Sequence, residues 1–352
     1  MLVFCYYFNM QLTIILDMMG ADKGAEELSL GLRQFLSRNP GSYHFIAVGK
    51  QEELHSIKDI AEIVDARDIV PMEAGARDVL RMKDSSMMKA IDLYQERQAD
   101  AIISCGGTGA YLSAATLKLK LIPGVERAAL IVPMPNAIGK ITNVLDIGAS
   151  NENTAEHLVQ FAEMGRIFNQ AVYGNKEPRV YVLANGTEDK KGSPESKRAL
   201  EILKERNFPG LQGNIEGRES LSGIADVIVT DGFTGNVYLK TTEGVFKVMS
   251  NEIKKIFKRN LFSMIGYLFA SKGVKAMRHR WDYRSTGGSM LLGLNGVVVK
   301  AHGSSDAVAF SYAIEVGKKL AEAKIVETLT KGFEHENTAA VPQGTKASTQ
   351  TD

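Results

Sequence analysis

The sequence predicts an α/β protein whose central strands are parallel and covered by helices on both faces. Short β-branched runs are followed by glycine-rich or polar turns and then by segments of helical periodicity, and this order recurs along the chain. Several of the runs are apolar at every position, which is typical of strands that are buried on both faces. These two observations define the fold class.

The predicted elements follow one another in a regular order. LTIIL (12–16) is the first strand, and the turn DMMGADKG leads into a helix over 25–36. DAIIS (100–104) leads through CGGTGA into a helix that ends at Leu119. Further strands are predicted in HFIAVG, RAALIVP, ITNVLDIG, RVYVLAN, DVIVTD and GVVVKAHG, and further helices over 85–98, 153–168, 196–206 and 307–323.

The two ends of the chain depart from this pattern. Residues 1–9 are apolar but lack a basic region and a small-residue cleavage site, so we interpret them as a start-site extension, with an edge strand as the alternative. Residues 326–352 end in small polar residues without periodicity and are predicted to be a disordered tail. The α/β domain is therefore expected to cover residues 10–325.

Composition excludes several classes of protein. Of the 352 residues, 44% are hydrophobic and 24% are charged, which excludes disorder as the main state. Because 42 Lys and Arg residues nearly balance 41 Asp and Glu residues, the chain has no overall attraction to nucleic acid. Cys5 and Cys105 form no CxxC pair, which excludes a disulfide framework and a cysteine zinc site and fits a reducing cytoplasm. No apolar run approaches the roughly 18 residues that span a bilayer.

Four turns carry residues suited to ligand binding, and each follows a predicted strand. They are DMMGAD (17–22), SCGGTGA (104–110), DGFTGN (231–236) and HGSSD (302–306). In open α/β sheets, ligands bind at the carboxyl ends of the strands. Glycine lets the backbone approach an anion, and a helix that begins just after the turn supplies free N–H groups. The turns therefore predict phosphate binding, with ordinary tight turns and helix N-caps as the alternative.

Several standard catalytic motifs are absent from the sequence. GxxxxGK[ST] and GxGxxG do not occur, which argues against a Walker NTPase and an orthodox Rossmann dehydrogenase. GxSxG and HExxH are also absent, so hydrolase and zinc functions have little support. Cys105 has no base in its local sequence, and we expect it to be a small residue packed beside a glycine turn.

The segment 253–281 combines apolar residues at helical spacing with many basic residues and no acidic one. Its apolar stripe consists of Ile253, Ile256, Phe257, Leu261, Ile265, Leu268 and Phe269. Its basic residues are Lys254, Lys255, Lys258, Arg259, Lys272, Lys275, Arg278 and Arg280. A helix of this kind suits an anionic membrane surface. A dimer interface, a core helix with a solvated basic face and a docking site for an acidic carrier protein are the alternatives.

Together these motifs resemble the bacterial phosphate acyltransferase family of phospholipid synthesis, whose members convert acyl-carrier-protein thioesters and inorganic phosphate into acyl phosphates. The order and spacing of the motifs agree over about residues 10–323. Ala21, Cys105 and Gly107 stand where the family usually has glycine, alanine and asparagine. The matching segments are DMMGAD, KDSSM (83–87), SCGGTGA, VLDIGASNEN (144–153), GTEDKKG (186–192), DGFTGN, GGSMLLGLNG (287–296) and HGSSDA.

The resemblance implies a three-layer α/β/α sandwich similar to isocitrate and isopropylmalate dehydrogenases. It also implies a homodimer with no nucleotide cofactor and no metal. A membrane glycerol-3-phosphate acyltransferase receives the acyl phosphate, so the resemblance implies a cytoplasmic protein that associates peripherally with the inner face of the cell membrane. The segment 253–281 would make that contact, through Lys254, Lys255, Phe257, Lys258, Arg259, Leu261, Ile265, Leu268 and Phe269.

The expected chemistry is direct attack of phosphate on the thioester carbonyl. Lys83 and Lys191 are candidates to neutralise phosphate charge, with solvated surface lysines as the alternative. His302 is a candidate to protonate the leaving thiolate or to bind phosphate, with an ordinary turn histidine as the alternative. Backbone N–H groups of residues 106–110 and 304–305 would bind phosphate or the developing oxyanion. Candidate phosphate- and substrate-binding residues are Asp17, Gly20, Ser85, Ser86, Gly106, Thr108, Gly109, Asp231, Gly232, Asn236, Gly303, Ser304, Ser305 and Asp306. Asp17 and Asp231 are expected to fix the geometry of their loops.

Three other functions fit parts of the pattern. A phosphotransacylase acting on acyl-CoA would have a similar fold and similar phosphate turns. A metal- and NAD-dependent decarboxylating dehydrogenase would need several metal-binding aspartates on one helix, and the sequence has no such cluster. A non-enzymatic membrane scaffold would use segment 253–281 but would leave the four turns without a function.

Overall fold

The computed structural model describes residues 11–71, 74–281 and 287–339. In these ranges eleven strands form one sheet in the order β3-β2-β1-β4-β11-β10-β5-β6-β9-β7-β8. The strands are β1 (Leu12–Asp17), β2 (Tyr43–Gly49), β3 (Glu62–Asp65), β4 (Ala101–Ser104), β5 (Ala129–Pro135), β6 (Ile141–Leu145), β7 (Val180–Ala184), β8 (Leu211–Glu216), β9 (Val227–Val229), β10 (Ser289–Leu292) and β11 (Val298–Lys300).

Ten α-helices and one short 3₁₀ helix (His55–Ile57) accompany the strands in the described part of the chain. The α-helices are α1 (Gly24–Arg38), α2 (Ala76–Arg81), α3 (Ser86–Glu96), α4 (Thr108–Leu119), α5 (Ala155–Tyr173), α6 (Pro194–Glu205), α7 (Gly232–Lys258), α8 (Leu261–Arg280), α9 (Ala307–Glu322) and α10 (Ile325–Ala339). The strands and helices predicted from the sequence are confirmed, apart from boundary shifts of a few residues.

The sheet consists of two parallel parts joined by antiparallel strands. In the first parallel part, β1, β2, β3, β4 and β11 run in one direction. In the second, β6, β7, β8 and β9 run together. β10 is antiparallel to both β11 and β5, and β5 is antiparallel to β6. The carboxyl ends of the two parallel parts therefore point in opposite directions.

The expectation that the central strands are parallel is wrong for β5, and β10, which the sequence analysis does not predict as a strand, is also antiparallel to its neighbours. Both strands are buried. Hydropathy reports burial on both faces of a sheet, however, and it does not encode the direction of a strand.

Helices cover both faces of the sheet, so the predicted three-layer α/β/α sandwich is confirmed. On one face, α1, α5, α6, α9 and α10 pack around fully buried side chains such as Phe35, Phe161 and Phe310. On the other face, α2, α3 and α4 pack over a second cluster that includes Tyr111. The turns of interest lie where these layers meet the strand ends.

The disordered tail predicted over 326–352 is wrong for its first half. Residues 325–339 form α10, in which Ile325, Leu329 and Phe333 are each 2% exposed and join the core beside α5. Their spacing of four residues is the signal, and it lies just before the polar stretch. Residues 340–352 and the proposed extension 1–9 lie outside the described residues.

The apolar stripe predicted over 253–281 does not lie on a single helix. α7 and α8 are separate antiparallel helices joined at residues 259–260. Phe246 stacks on Trp281 with ring centroids 4.6 Å apart near one end of the pair, and Phe257 meets Tyr267 edge to face at 5.2 Å near the other. We call this pair the α7–α8 hairpin.

The hairpin exposes much of its apolar surface. Phe262 and Phe269 are 85% and 87% exposed, while Ile253 and Phe257 are half-buried. Exposed large apolar groups in such number mark an interaction surface. Within the described ranges, no helix has both the length and the hydropathy needed to cross a bilayer.

Candidate active site

Three polar side chains form a row at the carboxyl edge of the first parallel part. Asp17 on β1 is the register partner of Ser104 on β4, and Ser104 is the register partner of Lys300 on β11. Partners in register on neighbouring strands project to the same face, with the strands about 4.8 Å apart. All three residues are buried, with at most 8% of their surface exposed. We call Asp17, Ser104 and Lys300 the polar row.

The Asp17 carboxylate holds three segments together. Ser104 Oγ donates to Oδ2 at 2.6 Å and the Met19 N–H donates to Oδ1 at 3.2 Å, while the Ser86 hydroxyl at the start of α3 lies near enough to lower the pKa of this carboxylate. Burial raises the pKa of Asp17, and these hydrogen bonds and the Lys300 ammonium oppose the rise. Asp17 therefore links β1 to β4 and to α3.

Several N–H groups that the sequence analysis assigns to phosphate are occupied within their own turns. The Gly106 N–H donates to Ser104 Oγ at 3.0 Å. The Ser304 N–H donates to His302 Nδ1 at 3.1 Å, and the Ser305 N–H donates to the His302 carbonyl at 2.9 Å. This corrects the expectation for these donors, because each bond shapes the turn and directs the N–H away from a ligand.

The N-terminus of α4 offers open backbone donors. Thr108 and Gly109 are exposed, and the first N–H groups of a helix have no intrahelical acceptor. Gly107 occupies the N-cap position without a side chain, and a Cβ added at Gly109 would meet no atom within 4 Å. An anion could therefore approach the positive end of this helix in open space.

The turns after β1, β4 and β11 contact one another. A Cβ added at Gly20, where φ is +79°, would lie 3.2 Å from Gly106 Cα, so the first two turns touch through their glycines. The Asp22 N–H donates to the Gly303 carbonyl at 2.8 Å, which joins the first turn to the third. The predicted convergence of 17–22, 104–110 and 302–306 therefore occurs.

Three candidate ligand residues act as helix N-caps. Side-chain oxygens of Ser85, Asp231 and Asp306 accept a backbone N–H three residues further on, at 3.4, 2.8 and 3.0 Å. They begin α3, α7 and α9, respectively. For these residues, the alternative of helix capping accounts for their presence in the motifs.

His302 lies at the exposed rim of the three turns. Its Nδ1 accepts the Ser304 N–H, so the neutral ring carries its proton on Nε2. Partial burial lowers the pKa of His302, and the cations Lys240 and Lys300 lower it further, against the opposing effect of Glu243 and Asp22. The imidazole is therefore neutral near pH 7 and can donate one hydrogen bond from Nε2.

The fourth turn, 231–236, lies at the carboxyl edge of the second parallel part, where the strands have the opposite direction. This corrects the expectation that all four turns share one edge. A Cβ at Gly232 would lie 1.9 Å from the Ser150 carbonyl oxygen, and one at Gly235 would lie 1.9 Å from the Asp146 carbonyl oxygen. These glycines let α7 pack against the 146–150 loop, and the exposed Asn236 lies beside Gly148 in the same contact.

Lys83 and Lys191 occupy different parts of the molecule. Lys83 is exposed and precedes Ser86, which touches Asp17. Lys191 is half-buried, and its aliphatic chain covers Gly186 in the second parallel part. Next to it is a cavity of about 500 Å³ whose lining includes Asn185, Ser193, Thr230, Asp231, Val237 and Tyr238. The structure therefore brings Lys83, but not Lys191, to the edge that carries the polar row.

α7 extends from the second parallel part to the first. Lys240 and Glu243, which form an ion pair at 2.9 Å, lie near enough to His302 to affect its pKa. Sequence reasoning missed both residues, because a Lys–Glu pair three residues apart on a helix looks like an ordinary solvated pair. It also missed Lys300, although a lysine inside the apolar run GVVVKAHG was a usable signal.

Cys105 has no nucleophilic character in this fold. It is fully buried, and burial raises the pKa of its thiol to about 12. The thiolate, which is the reactive form, is therefore scarce at neutral pH. Among the residues that the structure describes, no group of three His, Cys, Asp or Glu side chains could hold a metal ion.

Known proteins resemble this chain over most of its length. The family model described as fatty acid synthesis protein matches residues 12–328. The phosphate acyltransferase of Fervidobacterium nodosum is 40% identical over 326 residues, which are 90% of this chain and 97% of that protein. This chain belongs to the phosphate acyltransferase family. The resemblance inferred from the motifs is confirmed.

Two further comparisons extend this result. The phosphate acyltransferase of Aliarcobacter butzleri is 40% identical over 308 residues, which are 86% of this chain and 92% of that protein. A phosphotransacetylase from Streptococcus pyogenes shares the fold, with a TM-score of 0.55 and 16% identity over 92% of this chain and 94% of that one. This chain is therefore an acyltransferase that transfers an acyl group to phosphate in fatty acid and lipid synthesis.

Proposed function

We propose that this phosphate acyltransferase transfers a fatty acyl group from an acyl-carrier-protein thioester to inorganic phosphate and so forms acyl phosphate for phospholipid synthesis. The observation that carries the proposal is the open N-terminus of α4. Its exposed residues Thr108 and Gly109 lie in the turn that begins at the polar row. An anion of the size of phosphate fits such a helix start, because the donors are backbone N–H groups and the approach is unobstructed.

The reaction proceeds by direct attack. A phosphate oxygen attacks the thioester carbonyl carbon, the C–O bond forms, and the C–S bond breaks to release the carrier thiolate, which then takes up a proton. The buried Cys105 thiol, with its pKa near 12, offers no covalent alternative. Positioning and electrostatic stabilisation supply the catalysis, and removal of one preorganised donor typically costs about 100-fold to 1,000-fold in rate.

His302 is the group suited to meet phosphate or the leaving sulfur. As a neutral imidazole it donates from Nε2, while Ser304 fixes the ring through Nδ1. Lys83 and Lys240 are exposed cations beside this edge and attract phosphate. We propose that Lys191 and the nearby cavity, which lie in the second parallel part, hold a more distant part of the donor.

The carrier donor is compatible with the charges on the α7–α8 hairpin, although the phosphates of acyl-CoA would be attracted to the same charges, so only the donor assay separates the two. The hairpin carries Lys254, Lys258, Arg259 and Lys272, and an acidic carrier protein would be attracted to them. We propose the same surface, with Phe262 and Phe269, for peripheral contact with anionic lipid on the inner face of the cell membrane, in a cytoplasmic homodimer. There the acyl phosphate would be released near the membrane glycerol-3-phosphate acyltransferase that consumes it.

Trapping of acyl phosphate with hydroxylamine tests the reaction. The purified protein is incubated with acyl-carrier protein or with acyl-CoA of the same chain length, each with and without phosphate. Hydroxamate that requires both carrier thioester and phosphate supports the proposal. Product from acyl-CoA alone would establish the phosphotransacylase alternative, and the absence of product from either donor would contradict both.

A further inference from the structure

We propose that Lys300 is a positioning residue of the phosphate site: its buried ammonium holds the turns after β4 and β11 together and maintains a positive charge beneath the bound phosphate. The inference rests on the proposed function and deepens it, because it assigns a role to a side chain that lies below the surface of the site.

The Lys300 ammonium contacts the first carbonyl after the end of each of two strands, β4 and β11. Nζ donates to the Cys105 carbonyl, at 3.4 Å, and to the Ala301 carbonyl. Cys105 follows the last residue of β4, and Ala301 follows the last residue of β11. One ammonium therefore joins the points at which the two turns leave the sheet.

The carbonyl of Cys105 is close in sequence to the donors that would bind phosphate. Only Gly106 and Gly107 separate Cys105 from Thr108, the first residue of α4. The Gly106 N–H is already fixed by Ser104, so the short connection is restrained from both sides. A shift of the Cys105 carbonyl would therefore be transmitted to the start of α4, and an error of about 1 Å in such a position can cost about 100-fold in rate.

The charge of Lys300 is not consumed by an ion pair. Among the described residues, no carboxylate oxygen lies within 4 Å of its Nζ, and its two close partners are neutral carbonyls. The ionisable groups that influence it are Cys105, Asp17 and Asp22 on the neighbouring strand ends, and Lys240 on α7. Burial of an ammonium without a close counter-ion costs free energy of folding, so a purely structural role does not account for Lys300, whereas a role in anion binding does.

Burial lowers the pKa of Lys300, and the Lys240 cation lowers it further. The ammonium therefore loses its proton at a lower pH than an ordinary lysine does. If the positive charge serves phosphate binding, the affinity for phosphate must decrease as the pH rises through this lowered value.

Lys300→Met tests the role, because methionine keeps most of the side-chain volume and removes the charge. Lys318→Met is the matched control: Lys318 is a lysine of α9 whose side chain is only 22% exposed and pairs with Glu322. We expect Lys300→Met to fold, since apolar replacement of buried charge is often tolerated, and to lose about 100-fold in kcat/KM for phosphate. The KM for the acyl donor should stay unchanged, and the control should behave as wild type.

Two further measurements keep the inference testable. The first is the rise in Tm caused by inorganic phosphate alone, without an acyl donor, which Lys300→Met should abolish. It remains informative even if neither thioester is a substrate, so failure of the proposed function is distinguishable from failure of this inference.

The second measurement is the pH profile of the wild type, which needs no variant. On the alkaline side, kcat/KM for phosphate should fall at a pH below the ordinary pKa of lysine. The inference would be overturned by a pH profile that is flat in this alkaline range, or by a Lys300→Met variant whose Tm rises with phosphate as much as that of the wild type.

Discussion

The Ser104 hydroxyl donates to the Asp17 carboxylate at 2.6 Å while accepting the Gly106 N–H at 3.0 Å. One buried side chain thus connects a strand end, the neighbouring strand and the turn that leads to α4. Removal of the hydroxyl would take one hydrogen-bond partner from the buried Asp17 carboxylate and one from the Gly106 N–H, and this loss should lower the stability of the fold.

Ser104→Ala is expected to lower the free energy of unfolding by about 1 to 3 kcal/mol, the usual cost of leaving a buried polar group unsatisfied. Urea denaturation measures this change. Ser37→Ala is the control, since Ser37 is exposed on α1 and its hydroxyl bonds only to a carbonyl of its own helix. Equal effects of the two substitutions would contradict the structural role of Ser104.

Gly232→Ala and Gly235→Ala should each destabilise the protein severely. The added Cβ would lie 1.9 Å from a backbone oxygen of the 146–150 loop in both cases. Gly244→Ala on the same helix is the matched control, because its Cβ would meet no atom within 4 Å, and it should stabilise the helix by about 0.5 to 1 kcal/mol. Thermal unfolding of the three variants gives the comparison, and tolerance of all three would show that α7 does not pack in this way.

Gly109→Ala is expected to separate binding from stability. The position is open, so the fold should be retained with a Tm that is no lower than that of wild type. A methyl group at the start of α4 would obstruct an anion, and we expect the KM for phosphate to rise about tenfold, the equivalent of one hydrogen bond. Steady-state kinetics at saturating acyl donor measure the effect, and a wild-type KM would place phosphate elsewhere.

The lowered pKa of His302 predicts a dependence of stability on pH. Its unfolded-state pKa is about 6.5, and the folded-state value lies below it because of burial and nearby cations. The stabilising contribution is therefore complete above about pH 6.5 and is lost as the pH falls through the folded-state pKa.

Protonation of His302 would also occur at Nδ1, which then ceases to accept the Ser304 N–H. We expect the Tm of wild type to fall more steeply in acid than the Tm of His302→Gln. Turnover of wild type should decline over the same pH range. Parallel Tm curves for the two proteins would argue against this coupling.

The hairpin prediction concerns lipid binding. Each exposed phenylalanine contributes about 2 kcal/mol when it is buried in an apolar medium, so Phe262→Glu combined with Phe269→Glu should abolish flotation with vesicles of anionic phospholipid. Leu30→Glu is the control, because Leu30 is 49% exposed but lies on α1. Loss of the dimer on gel filtration, with vesicle binding retained, would instead assign this surface to the interface between two chains.

The sequence predicts what depends on local pattern and misses what depends on long-range geometry. The alternation of apolar runs with glycine-rich or polar turns is sufficient to predict the fold class. Because ligands bind at the carboxyl ends of parallel strands, the sequence also predicts that the turns 17–22 and 302–306 lie at one edge of the sheet. Strand direction in β5 and β10 leaves no trace in hydropathy, so the position of 231–236 could not be deduced. The short edge strands β3 and β8 are half-exposed and lack a continuous apolar run.

The sequence also does not predict which backbone N–H groups already donate a hydrogen bond within the protein. The side chain of Ser104 and the ring of His302 take up N–H groups that a motif alone would leave available. Lys240 reaches His302 only because α7 runs back toward the first parallel part. Lys300, by contrast, could have been found, since burial of a charged residue in a predicted central strand is rare enough to signal a role.

The position of β10 in the sheet has a consequence for the order of assembly during synthesis. β10 inserts between β11 and β5, yet it is formed from residues 289–292, more than 150 positions after β5 begins. Until those residues leave the ribosome, β4 and β5 each present an unpaired edge. Such edges invite contact with other chains, so the nascent protein depends on its last strands to close the surface on which its earlier strands could aggregate.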